Sequence, residues 1–218
     1  MTIENQFFSN QKTRSGFVAI IGAPNAGKST LMNFIVEAKV SIVTPKVQTT
    51  RTRIKGIAMV ADSQIIFIDT PGIFAPKRRL DRAMVNAAWQ GTDEADIILL
   101  LHDSVRSSSE KETENIINRV ENIQREFPNR KIALILNKID LVKPENLLGK
   151  ASKLAKIGNF EKIFMISAKK GKGIKDLVRW LAEQMPQGPF LFDPDDLSDM
   201  PQRQLASEIL REKLFINL

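Results

Sequence analysis

Residues 22–30, GAPNAGKST, form a glycine-rich stretch that ends in a lysine and two hydroxyl side chains. The stretch fits the pattern G-x-x-x-x-G-K-[ST] and directly follows the apolar run FVAII, as expected between a buried strand and a helix. Gly22 and Gly27 let the backbone curl with its N–H groups inward, where they and the helix N-terminus hold phosphate oxygens. Lys28 is expected to reach the β- and γ-phosphates, and Ser29 to supply a hydroxyl to Mg²⁺. The predicted nucleotide contacts here are Gly22, Ala23, Pro24, Asn25, Ala26, Gly27, Lys28, Ser29 and Thr30.

A second motif, NKID at residues 137–140, follows the apolar run IALIL and indicates which base is bound. The Asp140 carboxylate can accept hydrogen bonds from N1–H and the 2-amino group of guanine, whereas adenine lacks that amino group and presents a lone pair at N1. Hydrogen bonds to charged groups are worth about 1.5–3 kcal/mol each, so losing two implies discrimination on the order of 10² to 10⁴. Asn137 is predicted to tie this loop to the phosphate loop, and the stem of Lys138 to cover the base.

The tripeptide SAK, residues 167–169, ends the next apolar run and completes the predicted base site. Such a tripeptide is uninformative alone, but its position after a strand places it beside the NKID loop. The backbone N–H groups of Ala168 and Lys169 are expected to meet guanine O6, and Ser167 belongs to the same loop.

A fourth motif, DTPG at residues 69–72, ends the apolar run QIIFI and predicts a metal site. Asp69 is expected to hold Mg²⁺ through water, together with Ser29. The Gly72 N–H is expected to bond the γ-phosphate, so this loop should respond to hydrolysis. Thr70 and Pro71 complete the predicted contacts of this loop.

The segment VQTTRTR, residues 47–53, lies between the first helix and the strand that follows. A threonine in it is expected to close on Mg²⁺ when the γ-phosphate is present, and we favour Thr50 over Thr49. The alternative is a mobile, β-prone loop. Lys28, Thr50 and Gly72 are the predicted catalytic residues, and the two loops form an order–disorder switch read by the γ-phosphate.

Apolar runs that alternate with amphipathic segments must position these motifs. The alternation predicts an α/β fold of three layers, with a six-stranded, mostly parallel sheet and one antiparallel edge strand. A short Ala-Asp-Ser turn joins the second and third runs and predicts an antiparallel hairpin. The predicted strands are 17–21, 54–60, 64–70, 95–102, 131–138 and 162–168, and the predicted helices are 29–38, 80–90, about 109–127, 144–157 and 174–185.

The composition predicts four segments: an N-terminal extension (1–15), a nucleotide-binding domain (16–185), a linker (186–201) and an amphipathic helix (202–218). The linker contains four prolines and several acids. The chain has no cysteine, which excludes disulfides and thiolate metal sites and fits a reducing cytosol.

The net charge of +7 is compatible with a nucleic-acid partner. KRR, residues 77–79, could contact RNA, although a solvated charge run is the more ordinary interpretation. His102 is the only histidine and has no catalytic partner in the pattern, so we expect a structural role.

In this order and spacing, the four motifs resemble those of the translation-factor-like GTPase superfamily, and the runs GxPNxGKST, QTTR and DTPG are similar to the Era family. The tail SEILREK after an acidic linker also resembles Era, where it begins an RNA-binding KH domain. The resemblance implies a P-loop GTPase that binds GTP or GDP with Mg²⁺ and hydrolyses GTP slowly. It further implies small ribosomal subunit and 16S rRNA partners, a cytoplasmic location with peripheral contact to the inner membrane, and no DNA partner.

Two residues bear on how such a site would hydrolyse GTP. Ile73 stands where many small GTPases have a glutamine that orients the attacking water, and the Era group resembles this chain in having an apolar residue there. Asn25 matches an asparagine that in related GTPases helps hold K⁺, which could neutralise developing charge. The alternative for Asn25 is that it suits a tight loop.

The tail favours a rival function. A KH domain needs a sheet and a GxxG loop, and no GxxG follows residue 201, so residues 202–218 predict only the first helix of an incomplete KH-like domain. The rival is a GTP/GDP-binding interaction module with little hydrolysis and lost RNA binding. A further alternative is a tRNA-modification GTPase or a ribosome-assembly GTPase with tandem G-domains, but this chain has one such motif set.

Overall fold

One six-stranded sheet lies at the centre of the computed structural model, which describes residues 13–43, 54–74 and 79–217. Its order is β2-β3-β1-β4-β5-β6, with β2 antiparallel to β3 and the other neighbours parallel. This confirms the predicted fold class, including the antiparallel edge strand. The strands are β1 (Arg14–Gly22), β2 (Ile54–Val60), β3 (Ser63–Asp69), β4 (Ile97–Asp103), β5 (Lys131–Asn137) and β6 (Lys162–Met165).

Six α-helices and one short 3-10 helix, Ile139–Leu141, accompany the sheet within the described residues. The α-helices are α1 (Lys28–Val36), α2 (Arg79–Asp93), α3 (Ser109–Glu126), α4 (Pro144–Ala155), α5 (Ile174–Gln184) and α6 (Gln202–Asn217). Residues of α1 and α5 share one apolar cluster with the strands, and residues of α2, α3 and α4 share a second. None of the described helices is long and apolar enough to cross a membrane.

β4 explains why the strand sequences are continuously apolar. Ile97, Leu99 and Leu101 belong to the cluster of α1 and α5, whereas Ile98 and Leu100 belong to the cluster of α2, α3 and α4. All five are essentially inaccessible to solvent. Because side chains alternate along a strand and both faces of this sheet are covered, each position must be apolar.

The predicted helix at about 109–127 ends one residue early. Ile116 and Val120 lie on its buried face, but Phe127 is 43% exposed. The helix ends at Glu126, and Phe127 leaves helical geometry with φ −125° and ψ 78°. Its ring is instead covered by the guanidinium of Arg130, which lies 4.4 Å from the ring centroid.

The predicted linker, residues 186–201, contains no helix or strand but binds along the sheet. The fully buried Gln64 accepts hydrogen bonds at Oε1 from the N–H groups of Leu191 (2.8 Å) and Phe192 (3.0 Å). It also donates from Nε2 to the carbonyl of Phe192 at 2.9 Å. At the sheet edge, Ile57 N–H donates to the Leu197 carbonyl at 3.0 Å. The segment is therefore fixed to β2 and β3 by backbone and side-chain contacts.

His102 is fully buried in β4, against α3. Its Nδ1 lies 2.9 Å from Thr113 Oγ1 and 3.2 Å from Ser109 Oγ. Burial, and next the positive charge of Lys150, lowers the pKa of the imidazole to about 4, although Glu110 and Asp103 act in the opposite direction. The ring is therefore neutral near pH 7 and links α3 to β4.

We expect the free energy of unfolding to fall by about 2 kcal/mol between pH 7 and pH 5. The folded pKa of His102, about 4, lies below its ordinary value of 6.5, so in this interval the unfolded chain takes up a proton that the folded chain excludes. The contribution is complete above pH 6.5 and is lost as the pH falls towards 4. Urea unfolding of the chain without a histidine tag measures it. His102→Gln should flatten this slope, and an unchanged slope in that variant would contradict the assignment.

Candidate functional site

The phosphate loop joins β1 to α1 at the carboxyl edge of the sheet. Gly22 and Gly27 have φ values of +153° and +102°. A Cβ at Gly22 would lie 2.5 Å from the Leu101 carbonyl oxygen, and one at Gly27 would lie 2.3 Å from Asn137 Nδ2. Both positions therefore require glycine, as the pattern predicts. Asn25 also has a left-handed backbone, with φ +63°, which suits asparagine in a tight loop.

Lys28 begins α1 and is buried under this loop. Its Nζ donates to the carbonyls of Gly22 (3.2 Å) and Ala23 (3.0 Å). Burial lowers the pKa of Lys28 to about 8, although the negative charge of Asp69 acts to raise it. A buried ammonium among backbone dipoles at a helix N-terminus favours an anion beside it, and phosphate oxygens have the matching charge.

A carboxylate and a hydroxyl meet beside Lys28. Ser29 Oγ donates to Asp69 Oδ2 at 2.7 Å, which brings together two of the three residues that were predicted to hold Mg²⁺. Mg²⁺ prefers hard oxygen ligands and usually keeps waters and phosphate oxygens alongside one or two carboxylates. Among the described residues, no group of three or more His, Cys, Asp or Glu could hold a metal ion. One carboxylate and one hydroxyl fit a Mg²⁺ that Ser29 and Asp69 would hold together with nucleotide phosphates.

The DTPG loop packs directly against the phosphate loop. Thr70 Oγ1 donates to the Ile20 carbonyl at 2.8 Å, and Ile73 N–H donates to the Gly22 carbonyl at 3.0 Å. A Cβ at Gly72 would lie 2.9 Å from backbone atoms of Pro24, so only glycine allows this approach. Ile73 is 7% exposed and belongs to the apolar cluster of α2, α3 and α4.

The predicted base site forms a cavity of about 250 Å³ between the phosphate loop, the NKID loop and the SAK turn. Asn137 ties these three segments together, because its Nδ2 donates to the Ala26 carbonyl at 2.8 Å and its Oδ1 accepts from Ala168 N–H at 2.9 Å. The lining residues are Gly27, Thr30, Asn137, Lys138, Asp140, Leu141, Ser167, Ala168 and Lys169.

Asp140 lies at the exposed rim of this cavity as a carboxylate. A hydrogen bond from the Ser167 side chain is the main reason that its pKa lies below the ordinary value. β6 ends at Met165, three residues before the predicted end, because Ser167 turns to bond Lys172: its N–H donates to the Lys172 carbonyl at 3.0 Å. The turn brings the SAK backbone next to Asn137.

The structure adds residues that the sequence analysis missed. Lys138 Nζ donates to the buried Asp103 at 2.6 Å, which fixes the lysine stem beside the cavity. Arg106 Nη1 donates to the Pro24 carbonyl at 3.4 Å and pairs with Glu112. Asp103 stands at the end of an apolar strand, as the DTPG and NKID motifs do. This position in the sequence could have identified Asp103 as a residue of the site.

Two groups of predicted residues lie outside this geometry. Thr49 and Thr50 are outside the described residues, as is the whole segment 47–53. The first two residues of KRR are also outside them, and the third begins α2. Their predicted roles stay predictions.

Asn137→Ala should weaken GDP binding by about 10- to 100-fold, because it removes the two hydrogen bonds by which Asn137 joins the phosphate loop and the SAK turn. The bonds are buried, so the melting temperature should also fall, and calorimetry measures both effects. Asn159→Ala, at a surface residue away from the site, is the control. If Asn137→Ala bound GDP with wild-type affinity, the two hydrogen bonds of Asn137 would not contribute to nucleotide binding.

A family model described as "50S ribosome-binding GTPase" matches residues 17–138. The GTPase Era of Brucella melitensis is 52% identical over 207 residues, which cover 95% of this chain and 65% of that protein. The GTPase Era of Caulobacter vibrioides is 48% identical over 218 residues, covering 96% and 69%. The chain thus spans about two thirds of the length of these curated relatives.

Two solved Era structures have the same fold as this chain, with closely similar TM-scores. One is a crystal structure of Era with MgGDPNP and nucleotides 1506–1542 of 16S ribosomal RNA, with a TM-score of 0.79 and 40% identity. The other is an Era variant from Aquifex aeolicus bound to GDP and AlF₄⁻, with a TM-score of 0.80 and 39% identity. Each match covers 92% of this chain and 67% of the matched chain.

Proposed function

Because the chain belongs to the Era family of GTPases, we propose that it binds guanine nucleotides with Mg²⁺ and hydrolyses GTP to GDP and phosphate. One observation carries the proposal. Three features lie along one edge of the sheet: the Ser29–Asp69 pair at the end of β3, Lys28 after β1, and the cavity rimmed by Asp140 after β5. Asn137 joins the phosphate loop to this cavity. Metal, phosphate and base sites in that order match a nucleoside triphosphate bound along the carboxyl ends of the strands.

The proposed roles follow from the chemistry of each residue. Lys28 stabilises the negative charge on the β- and γ-phosphates, and the Gly72 N–H bonds the γ-phosphate. Thr50, on the segment outside the described residues, is proposed to join Ser29 and Asp69 around Mg²⁺. Bound Mg²⁺ supplies charge neutralisation at the phosphates. The remaining loop residues hold and orient the nucleotide through backbone N–H groups.

The base would be read at the rim of the cavity. Asp140 accepts from guanine N1–H and the 2-amino group, and the Ser167 bond keeps that carboxylate ionised and oriented. Lys138, fixed by Asp103, would cover one face of the ring. The N–H groups of Ala168 and Lys169 are proposed to meet O6.

Ile73 supports a second candidate, a GTP/GDP-binding interaction module with little hydrolysis. Its apolar side chain cannot hydrogen-bond the attacking water. The side chain is also buried in the apolar cluster of α2, α3 and α4. Phosphate release from GTP in multiple turnover separates the candidates. Slow release that depends on Mg²⁺ supports the GTPase. Tight GDP binding with no release above that of the heat-denatured chain would favour the module.

K⁺ is a proposed cofactor at Asn25, because this residue of the phosphate loop matches an asparagine that helps hold K⁺ in related GTPases. A monovalent cation there could neutralise charge that develops in the transition state. Hydrolysis in KCl should exceed hydrolysis in NaCl at equal ionic strength. Equal rates in the two salts would remove K⁺ from the mechanism.

We further propose that the switch acts in small ribosomal subunit assembly and 16S rRNA maturation. An Era relative binds 16S ribosomal RNA, and the net charge of +7 is compatible with such a partner. The proposed organisation is a nucleotide-binding domain (16–185) after an extension (1–15), a connecting segment (186–201), and the first helix of a KH-like domain (202–218). A cytoplasmic location, with peripheral contact to the inner membrane, is part of the same proposal.

A further inference from the structure

Ser41 is a buried hydroxyl beside the metal carboxylate that no sequence motif indicates. It is 1% exposed, and its Oγ donates to Asp69 Oδ2 at 2.8 Å. The same carboxylate oxygen accepts from Ser29 Oγ at 2.7 Å. Asp69 therefore receives two hydroxyl donors, one from the first turn of α1 and one from the segment that follows this helix.

Asn33 holds the backbone that carries Ser41. Its Oδ1 accepts from the N–H groups of Val40 (3.1 Å) and Ser41 (2.9 Å), and its Nδ2 donates to the Ser41 carbonyl at 2.6 Å. One side chain of α1 thus makes three hydrogen bonds across the chain reversal after the helix. The position of the Ser41 hydroxyl is therefore set by the helix that also carries Lys28 and Ser29.

We propose that Ser41, held by Asn33, is a positioning residue that orients the Asp69 carboxylate for Mg²⁺. This inference rests on the proposed function. A carboxylate can rotate about its terminal bond, and a donor fixed on Oδ2 selects one orientation of it. Hydrogen-bond partners of metal ligands typically contribute 10- to 100-fold to metal affinity. In this role Ser41 acts through Asp69 and is not itself a metal ligand.

The test measures Mg²⁺ without using hydrolysis. Dissociation of a fluorescent GDP analogue is followed in EDTA and across a Mg²⁺ titration, for the wild-type chain, Ser41→Ala and Asn33→Ala. We expect the half-saturating Mg²⁺ concentration to rise by about 10-fold in both variants. Dissociation rates in EDTA should stay within about twofold of wild type, because the variants leave the phosphate and base contacts in place.

Ser63→Ala is the matched control. Ser63 begins the strand that Asp69 ends, is 5% exposed, and donates from Oγ to the Ala182 carbonyl at 3.1 Å. Removing it deletes an equivalent buried hydroxyl at the far end of the same strand, so the Mg²⁺ curve should not move. The double variant Ser41→Ala/Asn33→Ala should bind Mg²⁺ no more weakly than the weaker of the two single variants. Both substitutions break the same series of contacts, from Asn33 through Ser41 to Asp69.

Two results would overturn the inference. The first is a wild-type Mg²⁺ curve in Ser41→Ala. The second is an EDTA dissociation rate that changes as much as the rate in Mg²⁺, since this would make Ser41 a general structural residue of the site. A folded wild-type chain that binds no guanine nucleotide would instead overturn the proposed function, and the inference with it.

Discussion

Lys28→Ala should lower the rate of GTP hydrolysis by about 10²- to 10³-fold, the loss found when one preorganised donor to transition-state charge is removed. Lys28 is the buried cation of the phosphate loop, and its ammonium is held between the carbonyls of Gly22 and Ala23. Alanine removes the positive charge and leaves those carbonyls without the ammonium. Phosphate release in multiple turnover, at saturating GTP and Mg²⁺, measures the effect.

Lys111→Ala is the control for this substitution. Lys111 is an exposed lysine on α3, so its loss changes the net charge by the same amount away from the site. Hydrolysis by that variant should match wild type. If Lys28→Ala retained more than a tenth of the wild-type rate while its GDP affinity was unchanged, the phosphate-loop lysine would not be part of the chemistry.

Asp140→Asn should exchange guanine for xanthine as the preferred base. The asparagine oxygen can still accept from N1–H, but its amide N–H₂ would face the 2-amino group of guanine, donor against donor. Xanthine has an oxygen at that position, which accepts from the amide. GTP affinity should fall by about 10²- to 10⁴-fold, and xanthosine triphosphate should bind more tightly than GTP.

Competition of each triphosphate against a fluorescent GDP analogue gives both affinities. The control is Asp62→Asn, in the exposed turn between β2 and β3. This turn lies at the end of β3 opposite to Asp69, so the variant should keep the wild-type preference for GTP. A variant Asp140→Asn that still prefers GTP over xanthosine triphosphate would show that another group reads the base.

Residues identified from the sequence belong to local patterns. The glycines of the phosphate loop carry a backbone requirement that a pattern records directly, and the structure places a carbonyl oxygen and a side-chain amide where their Cβ atoms would be. The strands were recognisable because the side chains on both faces of β1, β3, β4 and β5 are mostly buried, which leaves long apolar runs. The helix predicted from residue 144 does begin there, at Pro144, because proline is favoured in the first turn of a helix.

The residues that the sequence did not indicate form hydrogen bonds with partners far away in the sequence. Ser41 and Asp69 are 28 positions apart, and Gln64 and Leu191 are 127 apart. A single polar residue that meets a distant partner has no periodicity, because its contact depends on how strands and loops are placed against one another. Residues 186–201 were therefore predicted as a linker from their prolines, and their binding to Gln64 and Ile57 was visible only in the structure.

Calorimetric titration of GDP and ADP into the wild-type chain with Mg²⁺ shows whether this site binds a guanine nucleotide. We predict that GDP binds at one site per chain and that ADP binds about 10²-fold more weakly or not detectably. Equal affinities for the two nucleotides, or no binding of GDP by a chain that melts cooperatively, would contradict guanine-nucleotide binding at this site.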